Sequence, residues 1–237
     1  MNVRIFEVFT SVEGEGTLCG TKTLFVRLAG CPFSCFYCDT AEALPADSGV
    51  EYTLHDAQVL IKESLQEHTY KVNFTGGDPL MQHKSVALLA EYVQRQGVHT
   101  YLESSCFDSK RFSHVLPYFD YIKIEFKTPD SEFVRSNDYG TMYESTMQCL
   151  TNSVRADKTT YIKVVVSRRT TPEYMQRLVQ DIYDVAAPNE ISGFVIQPTY
   201  GVEEPSLESL LRMYDVIHSR YADVRIIPQL HKYLGAP

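Results

Sequence analysis

Hydrophobic and polar residues alternate along this chain in two ways. Short runs rich in Val, Ile, Tyr and Phe are separated by longer segments in which apolar residues recur every three or four positions. The runs are typical of buried parallel strands, and the longer segments of amphipathic helices that cover them. We therefore predict strands at Arg4–Phe9, Thr23–Leu28, Lys71–Phe74, Thr100–Glu103, Tyr121–Phe126, Tyr161–Val166, Gly193–Gln197 and Val224–Ile227, and helices at Leu54–Gln66, Lys84–Gln96, Pro172–Val185 and Ser206–Tyr221.

Strands that alternate with helices indicate βαβ units and a mainly parallel sheet. The chain has 237 residues, 44% of them hydrophobic, which suits one core and a single domain over residues 1–237. A single α/β barrel or partial barrel commonly has this length. Three segments read as loops, and none resembles a linker between domains: Ala41–Tyr52, Asp130–Gly140 and Thr199–Pro205.

The charge of the chain limits its partners. The formal net charge is −8, and Lys and Arg do not cluster in a run. Nucleic-acid binders usually carry a basic surface, because phosphate neutralisation supplies much of their affinity. We therefore expect a small-molecule substrate and no direct contact with nucleic acid. The N-terminus has no signal-peptide core, and no apolar run approaches the roughly 20 residues that cross a bilayer, so we expect a cytoplasmic protein.

Three of the six cysteines, Cys31, Cys35 and Cys38, lie within eight residues. They follow a predicted strand, and α/β folds place their sites at such strand ends. Structural zinc would need a fourth protein ligand, and none is close in the sequence. A four-iron cluster held by three thiolates keeps one iron open for a small molecule. We predict a catalytic [4Fe–4S] cluster, with zinc or a redox trio as the alternatives.

The C-x3-C-x2-C spacing, with Tyr37 before the last cysteine, resembles the signature of the radical S-adenosylmethionine (SAM) superfamily. Further along, Gly76-Gly77-Asp78-Pro79 resembles that superfamily's GGEP motif. Glycine has no Cβ, so backbone groups there can approach a ligand closely. In this superfamily the open iron binds the methionine part of SAM, and one electron yields methionine and a 5′-deoxyadenosyl radical. The resemblance thus implies a [4Fe–4S] cluster and SAM as cofactors.

Within that superfamily the chain resembles the 7-carboxy-7-deazaguanine synthases over its whole length. Glu13-Gly14-Glu15-Gly16 is similar to the family's QGEG segment, with Glu13 in place of Gln, and Cys38-Asp39-Thr40 matches its C-D-T. Leu102-Glu103-Ser104-Ser105 is similar to its E-T-N-G strand end, and Gln229-Leu230-His231-Lys232 to its Q-x-H-K segment.

Two segments depart from the family pattern. Where the family often carries Ser-Pro-Lys, this chain has Glu125-Phe126-Lys127, so only Lys127 matches. Asp78 is one methylene shorter than the usual Glu, which leaves open whether its side chain reaches SAM. The remaining cysteines lack cluster spacing, and we expect them to be small core or near-surface residues: Cys19, Cys106 and Cys149.

The resemblance implies a fold and a reaction. The fold is an incomplete, TIM-like (β/α) barrel with the cluster and SAM at the C-terminal strand ends. The family converts 6-carboxy-5,6,7,8-tetrahydropterin to 7-carboxy-7-deazaguanine with loss of ammonia, on the way to queuosine, archaeosine and other 7-deazapurines. SAM is regenerated and Mg²⁺ assists. An external one-electron donor, such as flavodoxin or ferredoxin, and a homodimer are also implied.

The resemblance further implies roles for single residues. Carboxylates suit the ring N–H and amino donors of a pterin, and the planar fork of Arg27 suits its carboxylate. Mg²⁺ prefers oxygen ligands, which Thr40 offers. SAM contacts are implied at Tyr37, Gly76, Gly77, Asp78, Ser104, Lys127 and Gln197, and pterin contacts at Glu15, Arg27, Thr75, Glu103, His231 and the terminal carboxylate of Pro237.

Two other functions remain open at this point. A glycyl-radical activase is another small radical SAM enzyme, and the C-terminal segment together with Arg27 and Thr40 argues against it, because they suit a small buried anion. A non-catalytic iron–sulfur or zinc protein is the alternative from a different class. An electron carrier would have a fully ligated cluster and no need of the glycine motif.

Overall fold

The computed structural model describes residues 1–132 and 139–236, and within them nine strands form one sheet. The strands are β1 (Asn2–Val12), β2 (Lys22–Leu28), β3 (Val50–Thr53), β4 (Lys71–Gly76), β5 (His99–Ser104), β6 (Tyr121–Phe126), β7 (Thr159–Val166), β8 (Phe194–Pro198) and β9 (Val224–Ile226). Their order is β3-β1-β2-β4-β5-β6-β7-β8-β9. Pairing is antiparallel where β1 meets β2 and β3, and parallel from β2 to β9. Because β3 and β9 each have one neighbour, the sheet does not close, and the predicted incomplete barrel is confirmed.

Helices connect the parallel strands. They are α1 (Leu54–Ser64), α2 (His83–Arg95), α3 (Ser109–Val115), α4 (Tyr139–Arg155), α5 (Pro172–Tyr183), α6 (Leu207–His218) and α7 (Leu230–Leu234), with short 3-10 turns at Ala41–Ala43, Pro79–Gln82, Leu116–Tyr118, Pro129–Ser131 and Pro188–Glu190. Among the described helices, none combines the length and the apolar character that crossing a membrane requires.

The two faces of the sheet differ in chemistry, and β6 shows this most clearly. Ile122 and Ile124 belong to the main hydrophobic core. Lys123 and Glu125, which alternate with them, line a cavity on the opposite face and are almost fully buried. Lys163 on β7 pairs in register with Glu125 and lines the same cavity. Successive side chains of a strand point to opposite faces, so these strands pack apolar groups outward and place charges inside the barrel.

Some predicted boundaries differ from the structure. The segment 41–52 was predicted as a loop, but Val50–Thr53 forms β3, an edge strand whose side chains are mostly exposed and carry little apolar signal. The predicted loop 130–140 overlaps the start of α4, and its residues 133–138 lie outside the described part of the chain. Helix α4 was not predicted, because the polar Thr146 and Ser153 interrupt the apolar periodicity of its buried side, which also contains Met142, Cys149 and Leu150. Helices α3 and α7 are too short to give that signal.

Candidate active site

A cavity of about 210 Å³ lies at the C-terminal ends of the parallel strands. It brings together every predicted site residue among those the structure describes. Pro237 lies outside the described residues, so its predicted contact stays a prediction. The predicted residues that line the cavity are Glu15, Arg27, Cys31, Cys35, Tyr37, Cys38, Thr40, Thr75, Gly76, Gly77, Asp78, Glu103, Ser104, Lys127, Gln197 and His231.

The cysteines lie on the loop that leaves β2. The N–H of Cys31 donates to the carbonyl of Leu44 (3.0 Å), and the N–H of Cys38 to the carbonyl of Cys35 (3.0 Å). Burial, and secondarily the charge of Asp78, raises the pKa of the Cys31 thiol to about 12. The Cys31 thiol therefore needs a bound cation to become a thiolate at neutral pH.

The spacing of the thiols suits a cluster better than a single ion. In the described residues, the trio of ionisable ligands whose atoms all lie within 4.8 Å of one another is Glu15, Asp39 and His231. The three cysteines do not form such a trio, as a single zinc would require. A four-iron cube is larger than one ion and takes one thiolate at each of three corners.

The two glycines of the Gly-Gly-Asp-Pro segment join this loop through their backbones. The N–H of Gly77 donates to the carbonyl of Leu28 (2.9 Å), and that of Asp78 to the carbonyl of Gly30 (2.8 Å). A Cβ on Gly77 would come within 3.0 Å of the Gly30 carbonyl, and Gly76 has φ +111°. From the sequence, these glycines were expected to let backbone groups come close to a ligand. The structure adds that they let the segment pack directly on the residues before Cys31.

The carboxylate of Asp78 is committed to protein contacts. It is 1% exposed and accepts from the N–H of Leu80 (2.9 Å), the hydroxyl of Ser104 (3.0 Å), and both the N–H (2.8 Å) and the hydroxyl (2.5 Å) of Ser105. Burial raises its pKa despite these bonds. Asp78 therefore braces the end of β5 against the glycine segment, and its predicted contact with SAM stays a prediction.

Glu15 is held by donors from three distant parts of the chain. Lys163 Nζ lies 2.5 Å from its Oε2, and the amides of Gln197 (3.0 Å) and Gln229 (2.8 Å) donate to its Oε1. Of these donors, only Gln197 was predicted as a site residue. Lys163 lies between Ile162 and Val164 on a predicted strand, and this alternation is the feature of the sequence that could have identified it as a site residue.

Glu103 is held in its ionised form. Burial opposes ionisation, but the charges of Lys123 and Lys163 outweigh it and lower the pKa of Glu103 to about 2. The hydroxyl of Tyr101 donates to Glu103 Oε1 (3.1 Å). At any working pH this carboxylate is an acceptor.

The C-terminal helix α7 places His231 over the cavity. The N–H of Leu230 donates to the carbonyl of Gly14 (2.9 Å), and a Cβ on Gly14 would collide with the His231 ring. His231 Nε2 lies 3.4 Å from Asp39 Oδ2, and Lys232 Nζ lies 3.5 Å from the same oxygen. Burial opposes ionisation of Asp39, but these basic partners hold its pKa well below its usual range.

Arg27 links the floor of the cavity to the cysteine loop. Its Nη1 donates to Thr40 Oγ1, and its Nε forms an ion pair with Glu7 (2.8 Å). The guanidinium lies over the ring of Phe9. The two predicted anion and Mg²⁺ ligands, Arg27 and Thr40, are therefore in direct contact, which suits a shared anionic ligand. Their roles stay predictions.

Comparison with known proteins gives consistent results. A family model described as a 4Fe-4S single cluster domain matches residues 12–138. The 7-carboxy-7-deazaguanine synthase of Methanocaldococcus jannaschii is 30% identical, covering 98% of this chain and 99% of that protein. The enzyme of the same name from Methanothermobacter thermautotrophicus is 29% identical, over 99% of this chain and 98% of its own length.

Solved structures share the fold. The crystal structure of QueE from Escherichia coli has a TM-score of 0.63 at 16% identity and covers 98% of this chain and 95% of its own. A domain of pyruvate-formate lyase-activating enzyme from Bacteroides vulgatus has a TM-score of 0.53 at 16% identity, over 66% of this chain and 98% of its own. At these identities the likeness concerns the fold alone.

The open barrel and its three-cysteine loop define a radical SAM protein with a single [4Fe–4S] cluster. More narrowly, the chain belongs to the 7-carboxy-7-deazaguanine synthase family, which it matches over its full length. The predicted family is confirmed, and with it the cluster and SAM as cofactors. Mg²⁺, the electron donor and the homodimer stay predictions.

Proposed function

We propose that this chain converts 6-carboxy-5,6,7,8-tetrahydropterin to 7-carboxy-7-deazaguanine with loss of ammonia, in the biosynthesis of 7-deazapurines of the queuosine or archaeosine type. The observation that carries the proposal is a cavity lined by the three thiols, Arg27 and two half-buried carboxylates, Glu15 and Glu103. Such a cavity can hold SAM beside a flat, donor-rich anion. Full-length likeness to synthases of that name supports the same reaction.

The cofactor side of the cavity is formed by the cysteine loop and the glycine segment. Cys31, Cys35 and Cys38 would hold the cluster, and the backbone of Gly76 and Gly77, which also line the cavity, would face SAM. When bound and reduced, the cluster supplies the electron that divides SAM into methionine and a 5′-deoxyadenosyl radical. The protein's part is to orient SAM and exclude water.

The substrate side is formed by charged groups. Glu103 is ionised and presents an acceptor to the ring N–H and amino donors of the pterin. Glu15, fixed by Lys163, offers a second acceptor. Arg27 can bind the substrate carboxylate, and Thr40 beside it can offer its hydroxyl to Mg²⁺. Residues that bind a donor-rich ring at one end and a carboxylate at the other would fix the orientation of the pterin.

His231 has a defined place in this arrangement. Its ring is 12% exposed and contacts Asp39, which is held as an anion. An imidazole beside a carboxylate can donate to the substrate or move a proton. Because α7 carries His231, the C-terminal segment would cover the pterin and shield the radical from water.

Glu103→Gln tests the substrate side. Loss of the anionic acceptor should lower kcat/KM for the pterin about 100-fold, while 5′-deoxyadenosine formed without pterin stays at the wild-type rate. The assay uses anaerobically reconstituted protein, SAM, Mg²⁺ and dithionite, with detection of 7-carboxy-7-deazaguanine by mass spectrometry. Glu91→Gln, on an exposed ion pair with Arg95, is the matched control.

Three outcomes bear on the proposal. Product formed by wild type and lost in Cys31→Ala would support it. Cleavage of SAM without the deazapurine product would contradict the substrate and return the activase to consideration. Absence of 5′-deoxyadenosine from protein with a verified cluster would favour the non-catalytic alternative.

We also propose the setting in which the enzyme acts. The cysteines of the described residues are all free thiols, which fits a reducing cytoplasm. A flavodoxin or ferredoxin would supply the electron, and two copies would form a homodimer. Light scattering of the reconstituted protein tests the dimer, and product formation with reduced flavodoxin in place of dithionite tests the donor.

A further inference from the structure

One buried carboxylate lies among three lysines on the cavity face of the sheet. Glu125 is 5% exposed. Its Oε2 is 2.8 Å from Lys123 Nζ and 3.4 Å from Lys163 Nζ, and its Oε1 is bound by Lys127 Nζ. Burying an ion is costly unless its charge is compensated, so the three cations account for the carboxylate.

Two of the lysines have a second carboxylate. Lys163 pairs with Glu15 at 2.5 Å, and Lys123 lies 3.9 Å from Glu103. Each would keep a partner if Glu125 were neutral. Both of these second partners belong to the substrate side of the cavity.

Lys127 is in a different position. Within the described residues, Glu125 is the one carboxylate within ion-pair distance of its ammonium group. Its other contacts are the hydroxyl of Tyr37 (3.5 Å) and the ring of the same residue (5.3 Å to the centroid). Tyr37 is part of the cysteine loop, so Lys127 faces the cofactor side. A lysine has a long, flexible stem, and without an ionic partner its end is poorly fixed.

We propose that Glu125 is a positioning residue that holds Lys127 against the cysteine loop for SAM, and that its effect falls on SAM binding rather than on pterin binding. The inference rests on the proposed function for the identity of the second ligand. The three ion pairs of Glu125 have unequal roles. Its pair with Lys127 orients that lysine toward SAM, whereas its pairs with Lys123 and Lys163 compensate charge.

The test is a double-mutant cycle on binding, with Glu125→Gln, Lys127→Met and the double variant. Affinities for SAM and for the carboxy-tetrahydropterin are measured separately by anaerobic calorimetry on reconstituted, unreduced protein. Glu51→Gln, which removes a carboxylate from an exposed ion pair with Arg4 (2.9 Å), is the matched control. Lys127→Met keeps Glu125 paired with Lys123 and Lys163, so this variant remains informative if Glu125→Gln folds poorly.

We expect Glu125→Gln to weaken SAM binding about tenfold and pterin binding by less than about threefold. The double variant should bind SAM no more weakly than Lys127→Met alone, because both changes remove one interaction. Additive losses, or a loss of pterin affinity as large as that of SAM, would overturn the proposal. If wild type binds SAM but not the pterin, the proposed function fails, and the SAM cycle alone still decides the role of Glu125.

Discussion

The cavity has two walls built on different physical principles. The first, the glycine wall, consists of residues 75–78 with Ser104 and Ser105, and backbone contacts and hydrogen bonds within the protein hold it together. Its one carboxylate, Asp78, is fully engaged there. The second, the charged wall, consists of buried ions from strands and from the loop after β1: Lys123, Glu125, Lys163 and Glu15.

The difference predicts how each wall fails. The glycine wall has no room for extra atoms, so adding a methyl group should disrupt it. The charged wall has room but needs every charge compensated, so removing a charge should disturb binding or pH dependence more than packing.

Gly77→Ala should have the largest effect. The added Cβ would lie within 3.0 Å of the backbone carbonyl of Gly30, which cannot rotate away as a side chain could. We expect a loss of about 3 kcal/mol in the free energy of unfolding, at the upper end for overpacking, together with loss of SAM binding. Guanidinium unfolding checks the first and calorimetry the second.

Gly97→Ala is the control for this prediction. Gly97 has φ +76° but nothing within 4 Å of an added Cβ, so it tests left-handed strain without a collision. Its cost should stay near 1–2 kcal/mol, about that of a left-handed residue. Equal losses in the two variants would show that close packing is not what limits the glycine wall.

Glu13→Gln should flatten the pH dependence of stability. Glu13 forms a buried ion pair with Lys71 (2.7 Å) near the charged wall. Burial, followed by the charge of Glu103, raises its pKa from 4.5 to about 7. Between these values the folded chain holds a proton that the unfolded chain has released. Glu13 therefore favours folding most at the acid end, and this contribution falls as pH rises through 7, by of the order of 3 kcal/mol.

The measurement is unfolding at four pH values between 5 and 8. The difference between the two curves reports the titration of Glu13 together with its coupling to the charge of Glu103. The two chains should diverge in slope within this window, whereas Glu51→Gln should follow wild type. Parallel curves for wild type and Glu13→Gln would mean that this carboxylate does not titrate there.

Gly14→Ala should have the smallest effect, because it acts on the C-terminal helix over the cavity. The new Cβ would displace the ring of His231, but α7 is short and partly exposed and can shift. We expect KM for the pterin to rise about fivefold, while the free energy of unfolding changes by less than about 1 kcal/mol. A fall in SAM affinity without a change in KM would place His231 on the glycine wall instead.

Less of the charged wall than of the glycine wall could be predicted from the sequence. The cysteine loop and the Gly76-Gly77 part of the glycine wall follow from local motifs, because Cys31 to Cys38 and the two glycines each lie within a few residues. The charged wall does not, because its partners are far apart: Lys163 and Glu15 are separated by 148 positions. An alternating strand such as β6 looks half-exposed until its neighbours bury both faces.

The same reason explains the unexpected use of Asp78. From the sequence, Asp78 was predicted to contact SAM. In the structure its carboxylate accepts hydrogen bonds from Ser104 and Ser105, which follow 26 and 27 positions later. The resemblance implied a SAM contact for Ser104, and nothing in the sequence linked either serine to Asp78. The residue types identified the Gly-Gly-Asp-Pro motif, and the fold determined that the Asp78 carboxylate is bound by protein donors.

The most direct test of the two-wall account is an anaerobic crystal structure of the reconstituted protein with SAM and the carboxy-tetrahydropterin. We expect a cluster on Cys31, Cys35 and Cys38, SAM against Gly76 and Gly77, and the pterin ring against Glu15 and Glu103. A fourth protein ligand on the cluster, or a pterin bound away from both carboxylates, would contradict it.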